Sequence, residues 1–143
     1  MLLSDVDIKG YINMSMLTIT GEYQINNCSV DLGVNLNKKT ILIEPGEFLL
    51  LKTDNWIMLP NDIAGILGGR SSYARRGLMV HCTSALIAPG FYGKIILEVK
   101  NIGHHAVRIY DKEKICSLSF IKMLTPCSTP YDGKYQGQQE AIA

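Results

Sequence analysis

Two short segments of the sequence carry the side chains best suited to chemistry. The first, GGRSSYARRGL at positions 68–78, brings arginines and serines together in a chain whose formal net charge is only +1. Arginine presents a planar fork of donors that matches phosphate oxygens, and serine hydroxyls add further hydrogen bonds. We therefore expect this segment to bind an anion. The alternative is a basic turn exposed to solvent.

The second segment is GKIILEVKN at positions 93–101, which reads as a strand and contains Glu98. A glutamate inside a cleft can carry protons during catalysis, whereas on an open sheet it forms a cross-strand ion pair. Side chains of a strand alternate between its two faces, which predicts where Glu98 points. The expected faces are Ile95, Leu97 and Val99 on one side and Lys94, Ile96, Glu98 and Lys100 on the other.

Short strands separated by turns dominate the rest of the chain, after one N-terminal helix. Ser4 followed by Asp7 has the spacing of a helix N-cap. The glycine pair at 68–69 predicts a tight turn that opens a short helix, capped by Ser71 or Ser72, with its first N–H groups directed at an anion. This pattern favours a mainly β barrel or two-sheet jelly roll. The expected strands are Cys28–Leu32, Thr40–Ile43, Glu47–Lys52, Ile57–Leu59, Gly93–Lys100, Ala106–Tyr110 and Ile115–Met123.

Composition restricts the class of protein. The 143 residues fit one domain, and 47% hydrophobic with 19% charged residues is typical of a globular chain. The near-neutral balance predicts no nucleic-acid-binding surface. The N-terminus lacks a signal-peptide pattern, and no apolar stretch reaches the roughly 20 residues of a membrane span. The four scattered cysteines are expected to be reduced, which predicts a cytoplasmic protein without a membrane partner.

Zinc and serine-nucleophile chemistry have no support in the motifs. A catalytic zinc site needs clustered ligands, and neither H-x-E nor P-C-x-x-C occurs. The G-x-S-x-G motif of serine hydrolases is also absent. His81 fits either a buried, hydrogen-bonded residue or a site residue, and the sequence leaves both open.

Taken together, three segments resemble the dCTP deaminase family of the dUTPase superfamily. They are GRSSYARRGLMVH (69–81), APGFYGKIILEVKN (88–101) and PYDGKYQGQQ (130–139), in the order and spacing of that family. The resemblance implies a dUTPase-like β-barrel or jelly roll with a short N-terminal helix and one short central helix. It also implies a single domain over residues 1–143, assembled as a homotrimer with active sites between subunits.

The polar C-terminal tail, residues 125–143, is implied to close over that site. By its composition we expect the tail to become ordered only over a ligand or a neighbouring subunit.

The implied reaction is hydrolytic deamination of dCTP to dUTP and ammonia without zinc, with Mg²⁺ accompanying the triphosphate. Glu98 matches the catalytic glutamate, which takes a proton from the attacking water and passes protons to the base. Arg75 matches the arginine that supports this water and the transition-state charge. Ser71 matches a serine that helps to hold the water.

The same resemblance implies the substrate contacts. Arg70 and the two serines after it would contact phosphate, backbone groups near 83–86 would read the cytosine edge, and the tail would close over the triphosphate. The implied substrate-binding residues are Arg70, Ser71, Ser72, Thr83, Ser84, Ala88, Tyr131, Lys134, Tyr135 and Gln138.

Three positions depart from the family pattern. Ser84 stands where a small residue is usual, and its added hydroxyl is expected to alter recognition of the base. Ala88 stands where an aspartate is usual; that aspartate activates water in dUTPases and contacts the deoxyribose 3′-hydroxyl in the deaminases. Glu140 stands where a glycine is common. These departures leave two alternatives to dCTP deamination: a deaminase for a modified or ribose cytosine nucleotide, and a non-catalytic nucleotide-binding or regulatory trimer. A dUTPase is disfavoured because alanine cannot activate water.

Overall fold

A curled antiparallel sheet dominates the computed structural model, which describes residues 1–141. Nine strands form this half-barrel in the order β7-β9-β5-β3-β11-β6-β8, with β1 on β5 and β2 on β3, while β4 and β10 pair separately. The sequence expectation of a mainly β, dUTPase-like fold with two short helices is confirmed. The elements are α1 (Asp5–Asn13), β1 (Thr18–Ile19), β2 (Tyr23–Ile25), β3 (Val30–Asn35), β4 (Thr40–Ile43), β5 (Phe48–Met58), β6 (Ile63–Gly69), α2 (Ser71–Ala74), β7 (Leu78–Met79), β8 (Leu86–Ile87), β9 (Tyr92–Asn101), β10 (Val107–Tyr110) and β11 (Lys114–Lys122).

Helix α1 begins where the sequence predicts. The Ser4 hydroxyl accepts the Asp7 backbone N–H at 3.3 Å, and the Asp7 carboxylate accepts the Ser4 backbone N–H at 2.9 Å. The Ser4 backbone N–H and the Ser4 hydroxyl, which donates to the Asp7 carboxylate at 2.8 Å, lower the pKa of Asp7, so the cap is complete above the ordinary aspartate pKa and is lost as pH falls through the lowered value. Ile8, fully buried, fixes the helix against the core.

At nine and four residues, neither helix of the described chain is long enough to cross a membrane.

Strand β5 is continuous, although the sequence predicted separate strands at Glu47–Lys52 and Ile57–Leu59. The polar residues between them resemble a turn, yet Thr53 and Asn55 are fully buried. Asn55 donates to two carbonyls of the β1–β2 loop at 2.7 and 3.1 Å, and Thr53 accepts the Ile95 backbone N–H at 3.0 Å. The register against β9 shifts within this stretch. Thr53 therefore pairs a β9 N–H at the β-bulge, and Asn55 pairs loop carbonyls that would otherwise lack a partner there.

The alternation predicted for β9 is confirmed. Its inner face, Ile95, Leu97 and Val99, is buried in the core, while the residues between them are only partly covered. Opposite β9, Leu50 of β5 faces Glu98 in the antiparallel register. Glu98 therefore lies on the outer face of the two longest strands, whose position is fixed by the buried inner face.

Two expectations about the central helix are wrong. Its N-cap residue is Arg70, in an extended conformation, and neither Ser71 nor Ser72 caps it. Gly68 and Gly69 lie in β6, paired with β11, rather than in a turn. Because this pairing continues to the end of β6, the serines fall inside a single helical turn instead of before it.

Gly77 ends the segment after α2 with φ +86°. A Cβ there would meet the backbone of Gly103, which cannot move aside as a flexible side chain can. Gly46 has a similar φ of +83°, but a Cβ there meets nothing within 4 Å. We expect Gly46→Ala to cost about 1–2 kcal/mol from φ alone. Gly77→Ala should cost clearly more.

Urea unfolding of the two variants measures this difference in free energy of unfolding. Equal losses would mean that the Gly77–Gly103 approach relaxes freely.

Candidate functional site

A cavity of about 350 Å³ lies beside Glu98, between the outer face of β5 and β9, the β8 segment and the C-terminal tail. Glu98 is the only charged residue among its described lining residues. Polar groups come from Ser84, Tyr131, Tyr135 and Gln138. Most of the remaining wall is apolar, including Leu50, Leu67, Leu86, Ile87, Ala88, Phe91 and Ile96. This composition suits a planar organic group held by a few directed hydrogen bonds.

The Glu98 carboxylate is fixed by the backbone of the segment after β7. Cys82 donates its backbone N–H to Glu98 Oε2 at 2.8 Å. The Cys82 thiol lies 3.6 Å from the Glu98 carbonyl oxygen. Pairing of Met79 with Lys100 brings this segment alongside β9. A charge-assisted bond from a main-chain donor orients the carboxylate while leaving lone pairs for a ligand.

The tail reaches this cavity along the start of β9. The Tyr131 backbone N–H donates to the Pro89 carbonyl at 2.9 Å, and the Tyr131 ring packs against Phe91 at 6.0 Å between centroids. The side-chain amide of Gln136 donates to the Gly90 carbonyl at 2.8 Å, and its side-chain oxygen accepts the backbone N–H of Tyr92.

Further along, the tail pairs with β9 through backbone and amide groups. Gly137 donates to the Tyr92 carbonyl at 2.8 Å. Gln138 accepts the Lys94 N–H through its backbone carbonyl and donates its side-chain amide to the Lys94 carbonyl, both at 2.9 Å. In the described chain, β9 of the same chain therefore supplies these partners of the tail, and the expectation that the tail is ordered only over a ligand or a neighbouring subunit stays a prediction.

A second cavity, about 380 Å³, lies where β6 runs into α2. It is polar, and its lining consists of Asn26, Asp31, Gly69, Arg70, Ser71, Ser72 and Ser117. It shares no lining residue with the cavity beside Glu98. Within the described chain the two groups of candidate residues therefore face different cavities.

Arg70 is held by an ion pair. Its Nε lies 2.9 Å from Oδ2 of Asp31, whose side chain is almost fully buried. Its Nη1 donates to the Lys114 carbonyl at 3.1 Å. Buried carboxylates need such a partner, so Arg70 has a structural role in addition to any contact with a ligand.

Two ionisable groups near the second cavity stay protonated. Burial raises the pKa of the Cys116 thiol to about 12, with the Asp31 carboxylate adding to the effect. Burial also raises the pKa of Tyr73, and the Glu113 carboxylate raises it further. Neither group supplies an anionic nucleophile near neutral pH.

Comparisons with known proteins identify the family. The family model described as dCTP deaminase-like matches residues 33–123, more than half of the chain. The chain belongs to the dCTP deaminase-like family. It is 35% identical over 176 aligned positions to the "dCTP deaminase, dUMP-forming" of Methanothermobacter thermautotrophicus, covering 96% of this chain and 89% of that protein. It is 45% identical over 109 positions to the dCTP deaminase of Idiomarina loihiensis, covering 73% of this chain and 56% of that protein.

Solved dUTPase structures share the fold. Native EIAV dUTPase superposes with a TM-score of 0.65 over 83% of this chain and 98% of its own, at 24% identity. The dUTPase of Staphylococcus bacteriophage 80alpha gives a TM-score of 0.65 over 83% of this chain and 97% of its own, at 18% identity.

For this dCTP deaminase-like chain, the structure gathers part of the predicted site residues around Glu98. Ser84, Ala88, Tyr131, Tyr135 and Gln138 line the same cavity as that glutamate. The second cavity collects the residues predicted to contact phosphate, which are Arg70, Ser71 and Ser72. Three predicted residues line neither cavity in the described chain: Arg75, Thr83 and Lys134, which are all exposed.

Several contacts around the site were not found from the sequence. The Cys82 amide is a backbone group, so no residue type announces it. The apolar wall comes from strand residues such as Leu50 and Leu67, which resemble ordinary core positions. The Ala85 carbonyl, in the segment expected to read the base, accepts the Leu67 N–H at 2.8 Å. The His81 Nδ1 is buried without a hydrogen-bond partner in residues 1–141, and the residue lines neither cavity.

If Arg70 serves Asp31, separate replacement of either residue should destabilise the fold. We expect Asp31→Asn and Arg70→Met each to lower the free energy of unfolding by about 1–3 kcal/mol, since each leaves a charged hydrogen-bonding group without its partner. The double variant should lose less than the sum of the two.

Urea unfolding measures all three variants, with Arg108→Met, an exposed arginine on β10, as the control expected to stay within about 0.5 kcal/mol of the wild type. Strictly additive losses would argue that the pair contributes nothing as a unit.

Proposed function

We propose that this protein catalyses the hydrolytic deamination of a cytosine deoxynucleoside triphosphate, dCTP to dUTP and ammonia. The observation that carries the proposal is Glu98: an oriented carboxylate in an otherwise mostly apolar cavity, within a chain of the dCTP deaminase-like family. A carboxylate with a fixed orientation and little surrounding water is suited to general acid–base catalysis.

In the proposed reaction Glu98 handles every proton. It takes a proton from a water molecule as the water oxygen bonds to C4 of cytosine, and it delivers that proton to N3. The new hydroxyl then gives its proton through Glu98 to the amino nitrogen. The C4–N bond breaks as the C4 oxygen becomes a carbonyl, ammonia leaves, and N3 keeps its added proton as the N3–H of uracil. Water is the only co-reactant, so no oxidant or reductant is needed.

Arg75 and Ser71 are proposed to complete the site from a neighbouring copy of the chain. Ser71 lines the second cavity, and the exposed Arg75 side chain follows on the same helical turn. Both are separate from the Glu98 cavity within one chain, which supports sites formed between subunits of a homotrimer. Arg75 would stabilise the developing negative charge, and Ser71 would hold the water. Ser72 and the remaining donors of Arg70 would face phosphate.

Mg²⁺ is proposed to arrive with the triphosphate rather than in a protein cage. Residues 1–141 contain no group of three or more His, Cys, Asp or Glu side chains placed to hold a metal ion. The proposed ion would be coordinated by phosphate oxygens, and it would lower the negative charge of the triphosphate. Lys134 and the tail tyrosines, Tyr131 and Tyr135, would contribute to closing the phosphate end.

The proposed product keeps its triphosphate. The M. thermautotrophicus relative is named as dUMP-forming, which requires phosphate cleavage in addition to deamination. In this chain Ala88 lines the cavity, and no carboxylate other than Glu98 appears among the described lining residues. A second water-activating carboxylate is thus missing from this wall, which favours dUTP over dUMP as product and disfavours dUTPase activity.

Glu98→Gln should abolish ammonia release from dCTP. The amide cannot accept the water proton, so we expect a rate loss of about 100-fold or more, with the fold intact. Ammonia and nucleotide products are measured by coupled assay and chromatography with dCTP, CTP and 5-methyl-dCTP as substrates.

Glu22→Gln, which changes an exposed glutamate, is the control and should keep the wild-type rate. Full activity of Glu98→Gln, or no turnover of any cytosine nucleotide by the wild type, would overturn the proposal. Release of pyrophosphate with dUMP would overturn the assignment of the product.

Mixing two inactive variants tests whether sites form between copies. If Glu98 acts with Arg75 of a neighbour, coexpressed Glu98→Gln and Arg75→Met chains should recover about a quarter of wild-type activity, since random assembly pairs two intact residues at one interface in four. Glu98→Gln coexpressed with Glu98→Ala is the inactive control. No recovery in the first mixture would place both residues in sites built from one chain.

A second candidate is a non-catalytic nucleotide-binding or regulatory trimer, favoured by Ala88 and Glu140. It predicts calorimetric binding of dCTP or dTTP without ammonia release. The substrate assay above separates this candidate from the enzyme.

A further inference from the structure

We propose that the ion pair between Lys52 and Glu140 is a latch that seats the C-terminal tail over the cavity of its own chain. Its effect on turnover rests on the proposed deamination, in which both are positioning residues rather than catalytic ones. Its effect on the tail does not depend on that reaction.

The latch joins a buried strand residue to an exposed tail residue. Lys52 Nζ lies 2.6 Å from Glu140 Oε2, with 8% of the lysine side chain and 64% of the glutamate side chain exposed. In β5, Lys52 is opposite Ile96 of β9, and Leu50 two residues earlier is opposite Glu98. Lys52 therefore belongs to the strand face that carries Glu98.

The position of Glu140 couples the latch to the cavity wall. Two residues earlier, Gln138 lines the cavity and is bonded to the Lys94 backbone through both its carbonyl and its side-chain amide. Lys94 and Ile96 lie two residues apart on one face of β9, and Ile96 is opposite Lys52, so Gln138 and Glu140 bond to nearby positions of the β5–β9 pair. The latch thus follows the series of hydrogen bonds that holds Gln138 and Tyr135 at the cavity.

Because Lys52 is buried and Glu140 is exposed, loss of the glutamate and loss of the lysine have different consequences. Lysine is rarely buried without a partner, and a charge-assisted bond is stronger than the neutral amide bonds along the rest of the tail. Loss of Glu140 leaves a buried ammonium without its partner and releases the last tail residue with a bond in the described chain. Replacement of Lys52 by an apolar side chain of similar length removes the need for the partner.

Hydrogen exchange of the nucleotide-free protein tests the latch directly. Glu140→Gln should speed exchange of the tail amides at 137–140 about tenfold, because the seated tail opens more often. Asp132→Asn is the matched control: it removes one exposed carboxylate from the same tail, and it should leave exchange unchanged.

A double-mutant cycle shows whether Lys52 is the partner. In a Lys52→Met background, Glu140→Gln should have little further effect on exchange. If Lys52→Met does not fold, added salt replaces it: salt should speed tail exchange in the wild type and not in Glu140→Gln.

Loss of the latch should change KM and kcat to different extents. Glu140→Gln should raise KM for the cytosine nucleotide several-fold with little change in kcat, because a saturating ligand re-seats the tail. Unchanged exchange in Glu140→Gln, or an effect equally large in the Lys52→Met background, would overturn the latch. Faster exchange in a protein that turns over no cytosine nucleotide would keep the latch and overturn the proposed function.

Discussion

The pairing of β5 with β9, interrupted by the bulge at Thr53 and Asn55, is the constraint on which the rest of the structure depends. Both polar side chains are fully buried: Thr53 accepts a β9 backbone N–H where the register shifts, and Asn55 donates to carbonyls of the β1–β2 loop. A pleated pair without this bulge would lie flatter and would alter the register of one half of β5. The observed register puts Leu50 opposite Glu98 and so determines which side chains share the outer face.

The curl of the sheet also explains the separation of the candidate residues into two cavities. Strand β3 turns a corner: its first residues pair with β11, and Val34 and Asn35 pair with β5. Glu98 lies on one side of this corner, whereas Arg70 and its partner Asp31 lie on the other. The proposed homotrimer would bring the two surfaces together, because the same two surfaces meet at every interface of a symmetric oligomer.

The tail shows how a polar segment becomes ordered without a hydrophobic core of its own. Glutamine amides at 136 and 138 bond to the backbone at the start of β9 and so supply part of what a paired strand would. Burial of the Tyr131 ring against Phe91 adds an apolar anchor at one end, and the Glu140 carboxylate provides an ionic one at the other. The tail segment at the cavity is therefore held by polar side chains whose partners on β9 composition alone does not indicate.

The sequence by itself determined the periodic and local features: the capping box at Ser4, the alternation that turns Glu98 outward, the mainly β fold and the family. The capping box and the alternation depend on neighbours within a few residues, and the fold class and the family depend on short segments and their order along the chain. Only the tertiary structure decided that β5 passes through the polar residue Asn55, that Arg70 is bound to Asp31, and that Glu140 is bound to Lys52. These contacts join residues 33 to 88 positions apart, and their geometry follows from register and sheet curvature, which residue types do not encode locally.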